Sequence, residues 1–251
     1  MAKIVSIHSF RGGTGKSNTT ANISVLLAAM GKRVAVVDTD IQSPGIHVLF
    51  GLDESEMKNS LNDYLWGDCR IEEAVYDVTA SLDPEMAGKV YLIPASIKAG
   101  EIARILREGY DVGMLSDGFW DLIDALDLDV LMVDTHPGLN EETLLSIAIS
   151  DALIIVLRPD QQDYQGTSVT VEVARKLDVP DMMLVVNKLP QVYDADEVRE
   201  RIEKAYSCDV AAVLPHSDTM MALGSAEIFA LHKPDHSITR QLLDVATRLL
   251  A

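Results

Sequence analysis

Between the apolar run Ile4–Ile7 and a helix-forming stretch that begins near Asn18, the chain carries Phe10-Arg11-Gly12-Gly13-Thr14-Gly15-Lys16-Ser17. A strand, a glycine-rich turn, a Lys-Ser pair and a helix in that order constrain the fold more than any other feature. Glycines let backbone N–H groups approach phosphate oxygens, and a helix N-terminus adds the positive end of a dipole. Lys16 is placed to reach the outer phosphates and the Ser17 hydroxyl to ligate magnesium, so a nucleoside triphosphate is the expected ligand. The candidate nucleotide-binding residues here are Gly12, Gly13, Thr14, Gly15, Lys16, Ser17 and Asn18. The general phosphate-loop pattern has glycine where this chain has Phe10, so the ordinary form is not met.

Further short β-branched runs read as buried parallel strands: Val34–Val37, Val90–Ile93, Val130–Val133, Leu153–Val156, Leu184–Val186 and Ala211–Leu214. Helical patterns lie between them at Asn18–Met30, Ile102–Arg107, Phe119–Leu126, Glu141–Ile149 and Gly166–Leu177. Strands alternating with helices imply right-handed crossovers, hence an α/β, doubly wound, mostly parallel sheet flanked by helices. The 251 residues contain no Pro/Gly/Ser-rich linker and no internal repeat, so a single domain over residues 1–251 is expected. Ligands of such sheets bind beyond the carboxyl ends of the strands. Asp38-Thr39-Asp40, Asp134-Thr135-His136-Pro137-Gly138 and Asn187-Lys188 all follow predicted strands. A carboxylate in that place, beside a magnesium triphosphate, can hold the metal or orient the attacking water. Asp134 fits the first of these roles.

Charge narrows the partners. Lys plus Arg total 21 against 39 Asp plus Glu, a net charge of −18, which argues against nonspecific binding to nucleic acid. Arg199, Arg201 and Lys204 are interleaved with Glu197, Glu200 and Glu203, which reads as a solvated helix face with i,i+4 pairs. Cys69 and Cys208 lie far apart and read as plain reduced thiols. Met-Ala-Lys leads at once into a strand and no stretch approaches the roughly 18 uninterrupted apolar residues of a membrane span, so a soluble cytoplasmic protein is expected. Leu61, Tyr64, Leu65 and Trp66 read as core. His8 and His136 border the presumed site, but phosphoryl transfer needs positioning and charge more than a general base, so neither is assigned a role.

The run at residues 10–17 resembles the deviant Walker A loop of the ParA/MinD family of dimerising ATPases, in which a basic residue, usually lysine, precedes the paired glycines. Here that residue is Arg11, whose guanidinium forks well onto phosphate oxygens but is bulkier than an ammonium. The resemblance runs on through the Leu61-x-x-x-Leu65-x-Gly67 segment and the strand ending at Pro94, and so covers essentially the whole length. It implies a P-loop NTPase of the SIMIBI type with ATP and Mg2+ as cofactors. It also implies a homodimer in the ATP state, slow hydrolysis stimulated by a protein activator or cargo adaptor, and the intracellular positioning or partitioning of a cargo or complex. By the same resemblance Lys16, Asp40 and Arg11 form the catalytic set, with Arg11 crossing to the partner's phosphates and Asp40 positioning the hydrolytic water. Ser17, Asp38 and Asp134 serve the metal, and Asp40 and Gly138 mark the two switches, the Gly138 N–H registering the γ-phosphate. Asn187 reads adenine and Pro215 lies in a second base-contacting loop. Arg158, at the end of another strand, is the other basic residue that could face the nucleotide or a partner subunit. The closing segment Ile238–Ala251 has the spacing of a core helix without a basic extension and gives no support for membrane attachment. A weakly hydrolysing scaffold or regulator, with Arg11 as the hint, and a phosphotransferase on the same fold remain open alternatives.

Overall fold

Side chains along a strand point alternately to opposite faces, and here the alternation sorts the buried residues into cores on the two sides of one sheet. The computed structural model describes residues 2–224 and 226–251. Its strands are β1 (Lys3–His8), β2 (Arg33–Asp38), β3 (Tyr76–Asp77), β4 (Lys89–Ile93), β5 (Val130–Asp134), β6 (Ala152–Leu157), β7 (Asp181–Leu189) and β8 (Asp209–Pro215). They form an eight-stranded sheet in the order β3-β4-β2-β5-β1-β6-β7-β8. Every pairing is parallel except that of β3 with β4. Val5, Ile7, Val34, Val36, Val130 and Met132 belong to one core, together with the helices Lys16–Ala29 and Ser237–Leu249. Their neighbours Ile4, Ala35, Val37, Leu131 and Val133 pack on the other face against Leu115, Phe119 and Leu122 of the helix Gly113–Leu126. Farther along that face, Leu153, Ile155, Leu184 and Val186 meet the helices Gln161–Lys176 and Ala195–Tyr206. This is the expected doubly wound arrangement.

Packing, not propensity, holds the first helix. Lys16–Ala29 contains Asn18, Thr19, Thr20, Asn22, Ile23, Ser24 and Val25, most of them mediocre helix formers. Yet Ile23, Val25 and Leu27 are fully buried, and burying such a side chain contributes about 1.5–3 kcal/mol. Its start carries no cap. Asn140, Asp160, Asp194 and His236 each place a side-chain acceptor over the first N–H groups of a following helix, whereas Gly15, at φ 101°, gives the first helix no side-chain cap.

Three departures from the sequence-based expectation bear on the site. β7 does not stop at Val186 but continues to Leu189, so Asn187 and Lys188 lie inside the strand rather than after it. Lys188 adopts φ 59° there, and the pairing with β8 is irregular between Val186 and Leu189. The helix expected from Gly166 begins a turn and more earlier, at Gln161, capped by Asp160. The two-residue antiparallel edge β3 was not anticipated. Leu61, Tyr64 and Leu65 are buried as expected, while Trp66 stacks under the Arg104 guanidinium at 4.0 Å. Cys69 and Cys208 are free, and no helix among the described residues is long and apolar enough to cross a membrane.

Candidate functional site

The site gathers at the carboxyl end of β1, the central strand flanked by β5 and β6. From His8 the chain turns through residues 9–15 into the first helix. The Ser9 hydroxyl donates to the Arg11 carbonyl at 2.7 Å, and Gly13 and Gly15 take φ values of 76° and 101° that a residue with a Cβ adopts only under strain. A Cβ at Gly15 would also collide with the Asn187 amide. Among the described residues, the N–H groups of Gly13, Thr14, Gly15 and Lys16 donate to no protein acceptor, and the buried Thr14 hydroxyl has no partner. Unpaired donors converging at an uncapped helix start form an anion cradle. Lys16 stands inside it, only 7% exposed.

Opposite the cradle, adjacent strands bring acids together. The β2–β5 register sets Asp38 beside Asp134, and the β1–β5 register sets Ile7 beside Asp134. Burial pushes the Asp38 carboxyl well above the usual carboxylate range. The nearby Asp134 and Asp40 carboxylates push the same way, against N–H groups of Asp40 at 3.0 Å and Gly45 at 3.3 Å that favour the anion. Burial raises Asp134 too, while the Lys16 ammonium and the Ser17 and Thr20 hydroxyls draw it back down. Thr20, one turn beyond Lys16, donates to Asp134 at 3.1 Å. Sequence reading missed it, although its i+4 spacing from Lys16 was the available signal.

The segment after β5 is tied on several sides. The Thr135 hydroxyl donates to the Ile7 carbonyl at 3.0 Å and lies 2.8 Å from His8 Nδ1. Burial, helped by the positive charge of Lys16, lowers the His8 pKa to about 3, so the ring is neutral. His136 Nδ1 lies 2.6 Å from Asp40 Oδ1, and Gly138 N–H donates to the Ser9 carbonyl at 3.2 Å.

Buried carboxylates held above their usual range beside a serine hydroxyl suit a hard cation. Among the described residues no three His, Cys, Asp or Glu side chains form a ready metal cage. Magnesium fits such a donor set, because it takes one or two protein oxygens and completes its shell with phosphates and water.

The far end of the cleft is a cavity of about 240 Å³ lined by Gly15, Asn18, Asn187, Lys188, Pro215 and Met220, among others. Four of the sequence-selected residues meet here. Asn187 is not free, however. Its Nδ2 donates to the Thr14 carbonyl at 2.8 Å and its Oδ1 accepts from Lys188 N–H at 2.8 Å, while Lys188 Nζ donates to the Gly13 carbonyl at 2.9 Å. The bend in β7 thus clamps the loop from the side, a role the sequence did not reveal.

Arg11 and Arg158 converge on the same acids. Arg11 lies 3.5 Å from Asp163 and 3.7 Å from Asp160, and Arg158 donates to Asp163 through Nε at 3.0 Å. Asp163 is nearly fully buried between them. The Phe10 ring lies against Gly166 of the same helix, where a Cβ would strike it.

Comparison with known proteins agrees with this arrangement. The family model AAA_31, described as an AAA domain, matches residues 2–180. The chain is 28% identical over 253 residues to an uncharacterized ATP-binding protein of Methanocaldococcus jannaschii, a match covering 100% of this chain and 88% of that protein. It is 29% identical over 215 residues to the flagellum site-determining protein YlxH of Helicobacter pylori, covering 85% of this chain and 67% of that one. In structure it is similar to the cell division ATPase MinD of Pyrococcus furiosus, with a TM-score of 0.84, 24% identity and 100% of both chains covered. It is similar also to the septum site-determining protein MinD of Pyrococcus horikoshii, solved with Mg-ADP, with a TM-score of 0.83, 23% identity and coverage of 99% and 96%.

Proposed function

This chain belongs to the AAA_31 family of AAA domains and to the ParA/MinD ATPases, and from that premise we propose that it is an ATP-binding and hydrolysing switch that dimerises in the ATP state. The observation that carries the reading is the uncapped helix start at Gly15, with its open N–H groups, the buried Lys16 and the facing acids Asp38, Asp40 and Asp134. Residues 1–251 act as one domain. Gly12, Gly13, Thr14, Gly15, Lys16 and Ser17 bind the phosphates, and Asn18, Asn187 and Pro215 border the base. Ser17, Asp38 and Asp134 would hold Mg2+, which supplies charge neutralisation for the triphosphate. Asp40 orients the attacking water. A buried carboxylate beside so much negative charge does this by accepting a hydrogen bond, and the fixed charge of Lys16 stabilises the transferring group.

In this reading the γ-phosphate drives dimerisation, because only a ligand that favours one state over the other shifts the equilibrium. Gly138 and Asp40 sense that phosphate, and Arg11 reaches the partner's nucleotide. To do so Arg11 leaves the exposed Asp160, a surface pair worth only about 0–1 kcal/mol, and the buried Asp163. Arg158 keeps Asp163 neutralised when Arg11 departs.

The output is the positioning or partitioning of a cargo or complex in the cytoplasm, in concert with a protein activator or adaptor. Relatives named for determining the sites of septa and flagella support this, and the charge of −18 disfavours DNA as the surface engaged. Sedimentation velocity tests the switch. The protein should sediment as a dimer with Mg-ATP and as a monomer with Mg-ADP. Asp40→Ala should stay dimeric in ATP with turnover reduced by about 100-fold or more. A monomer in every nucleotide state would contradict dimerisation, and undiminished turnover in Asp40→Ala would remove Asp40 from the chemistry.

A further inference from the structure

Asp40 is the residue on which hydrolysis turns in this reading, and the side chain that holds it comes from the other switch. His136 Nδ1 and Asp40 Oδ1 are 2.6 Å apart, across 96 residues of sequence. A carboxylate only accepts, so the imidazole is the donor and its proton sits on Nδ1. Ser43 N–H donates to the same oxygen at 3.2 Å, and Asp40's own N–H donates to Asp38 Oδ1 at 3.0 Å. Two donors on Oδ1 fix the rotation of the carboxylate and leave Oδ2 without a protein donor among the described residues. The His136 backbone is held in turn, its carbonyl accepting from the Thr143 hydroxyl at 3.2 Å. Both side chains are largely enclosed, at 21% and 13% exposure, where a charge-assisted bond is stronger than in water.

We propose that His136 is a positioning residue for hydrolysis: its Nδ1–H anchors Asp40 Oδ1 so that Oδ2 points at the attacking water, and it joins the two switch loops so that they move together. The proposal rests on the ATPase reading above and adds to it the residue that sets the geometry of Asp40. No proton is transferred to or from His136. Its contribution is orientation, for which small misplacements cost rate rather than affinity.

The side-chain nitrogen of asparagine occupies nearly the place of Nδ1, so His136→Asn keeps the donor and His136→Ala removes it. His136→Ala should lower kcat for Mg-ATP about tenfold with KM within about twofold, and His136→Asn should recover most of the loss. Long-range 1H–15N spectra of the nucleotide-free protein, taken where histidines are neutral, should show His136 as the Nδ1–H tautomer, shifting toward Nε2–H in Asp40→Ala. An unchanged kcat in His136→Ala, an asparagine variant as slow as the alanine one, or an Nε2–H tautomer in the unmutated protein would overturn the proposal. Failure of the unmutated protein to bind Mg-ATP by calorimetry would instead overturn the ATPase reading, and the tautomer measurement, which needs no nucleotide, tells the two failures apart.

Discussion

The half of the cleft at the ends of β1, β2 and β5 is closed and charged, whereas the half at the ends of β7 and β8 is open and mostly apolar. In the first, Lys16, Asp38, Asp134 and His8 are buried, and His8 and Asp134 are held by Thr135 and Thr20, both distant in sequence. In the second, Asn187 is turned inward to the loop, and Met220 and the 64% exposed Met221 line a cavity of about 240 Å³. Charges arranged in advance in a dry site act strongly and need no rearrangement when the ligand arrives. Methionines on an open wall adapt to shape and discriminate little. On the proposed reading, the closed half would supply most of the affinity and all of the chemistry, and the open half would support the loop as much as it reads a base.

The largest expected effect is at the closed end. Lys16→Ala should weaken Mg-ATP by about 100-fold or more, about 2.7 kcal/mol, in a calorimetric titration, because an enclosed charge on phosphate has no substitute nearby. A loss under about threefold would erase the contrast. Next comes acid stability. Folded His8 titrates near 3 and the unfolded chain near 6.5, so between those values the unfolded state binds the extra proton. Stability is therefore complete above pH 6.5 and falls by a few kcal/mol as pH drops toward 3. Asp38, raised by burial, slopes the other way, gaining stability as pH falls, so the histidine contribution is isolated by comparing variants. Urea denaturation at pH 7 and pH 5 should show a smaller acid loss in His8→Asn than in the unmutated chain, and equal losses would place the sensitivity elsewhere. The smallest effect is at the open end. Asn187→Ala should weaken ATP and ADP alike by about fivefold, the worth of its one hydrogen bond on the Thr14 carbonyl, with kcat little changed. A selective loss of ATP alone would mean that Asn187 belongs functionally to the closed half.

The same contrast separates what could be read in the sequence from what could not. Glycine, lysine and serine at fixed offsets after a strand act through adjacent backbone, so residues 12–17 were legible from local order, and Asp38, Asp40 and Asp134 from following apolar runs. Asn187 was singled out, but its clamp on Thr14 depends on β7 running on through Lys188 at φ 59°, an irregularity that no periodicity announces. The convergence of Arg11 and Arg158 on Asp163 was hidden because the helix starts at Gln161, where Asp160 caps it, and not at Gly166. His136 has no role as a general base in phosphoryl transfer, and its partner Asp40 emerges only once β2 and β5 lie side by side.

Titrating the unmutated protein with Mg-ATP and with adenosine in the same calorimeter decides whether preset charge around the loop, rather than the base cavity, carries recognition. One ATP site per chain is expected, with adenosine bound at least about 100-fold more weakly. Adenosine binding as tightly as Mg-ATP would contradict it.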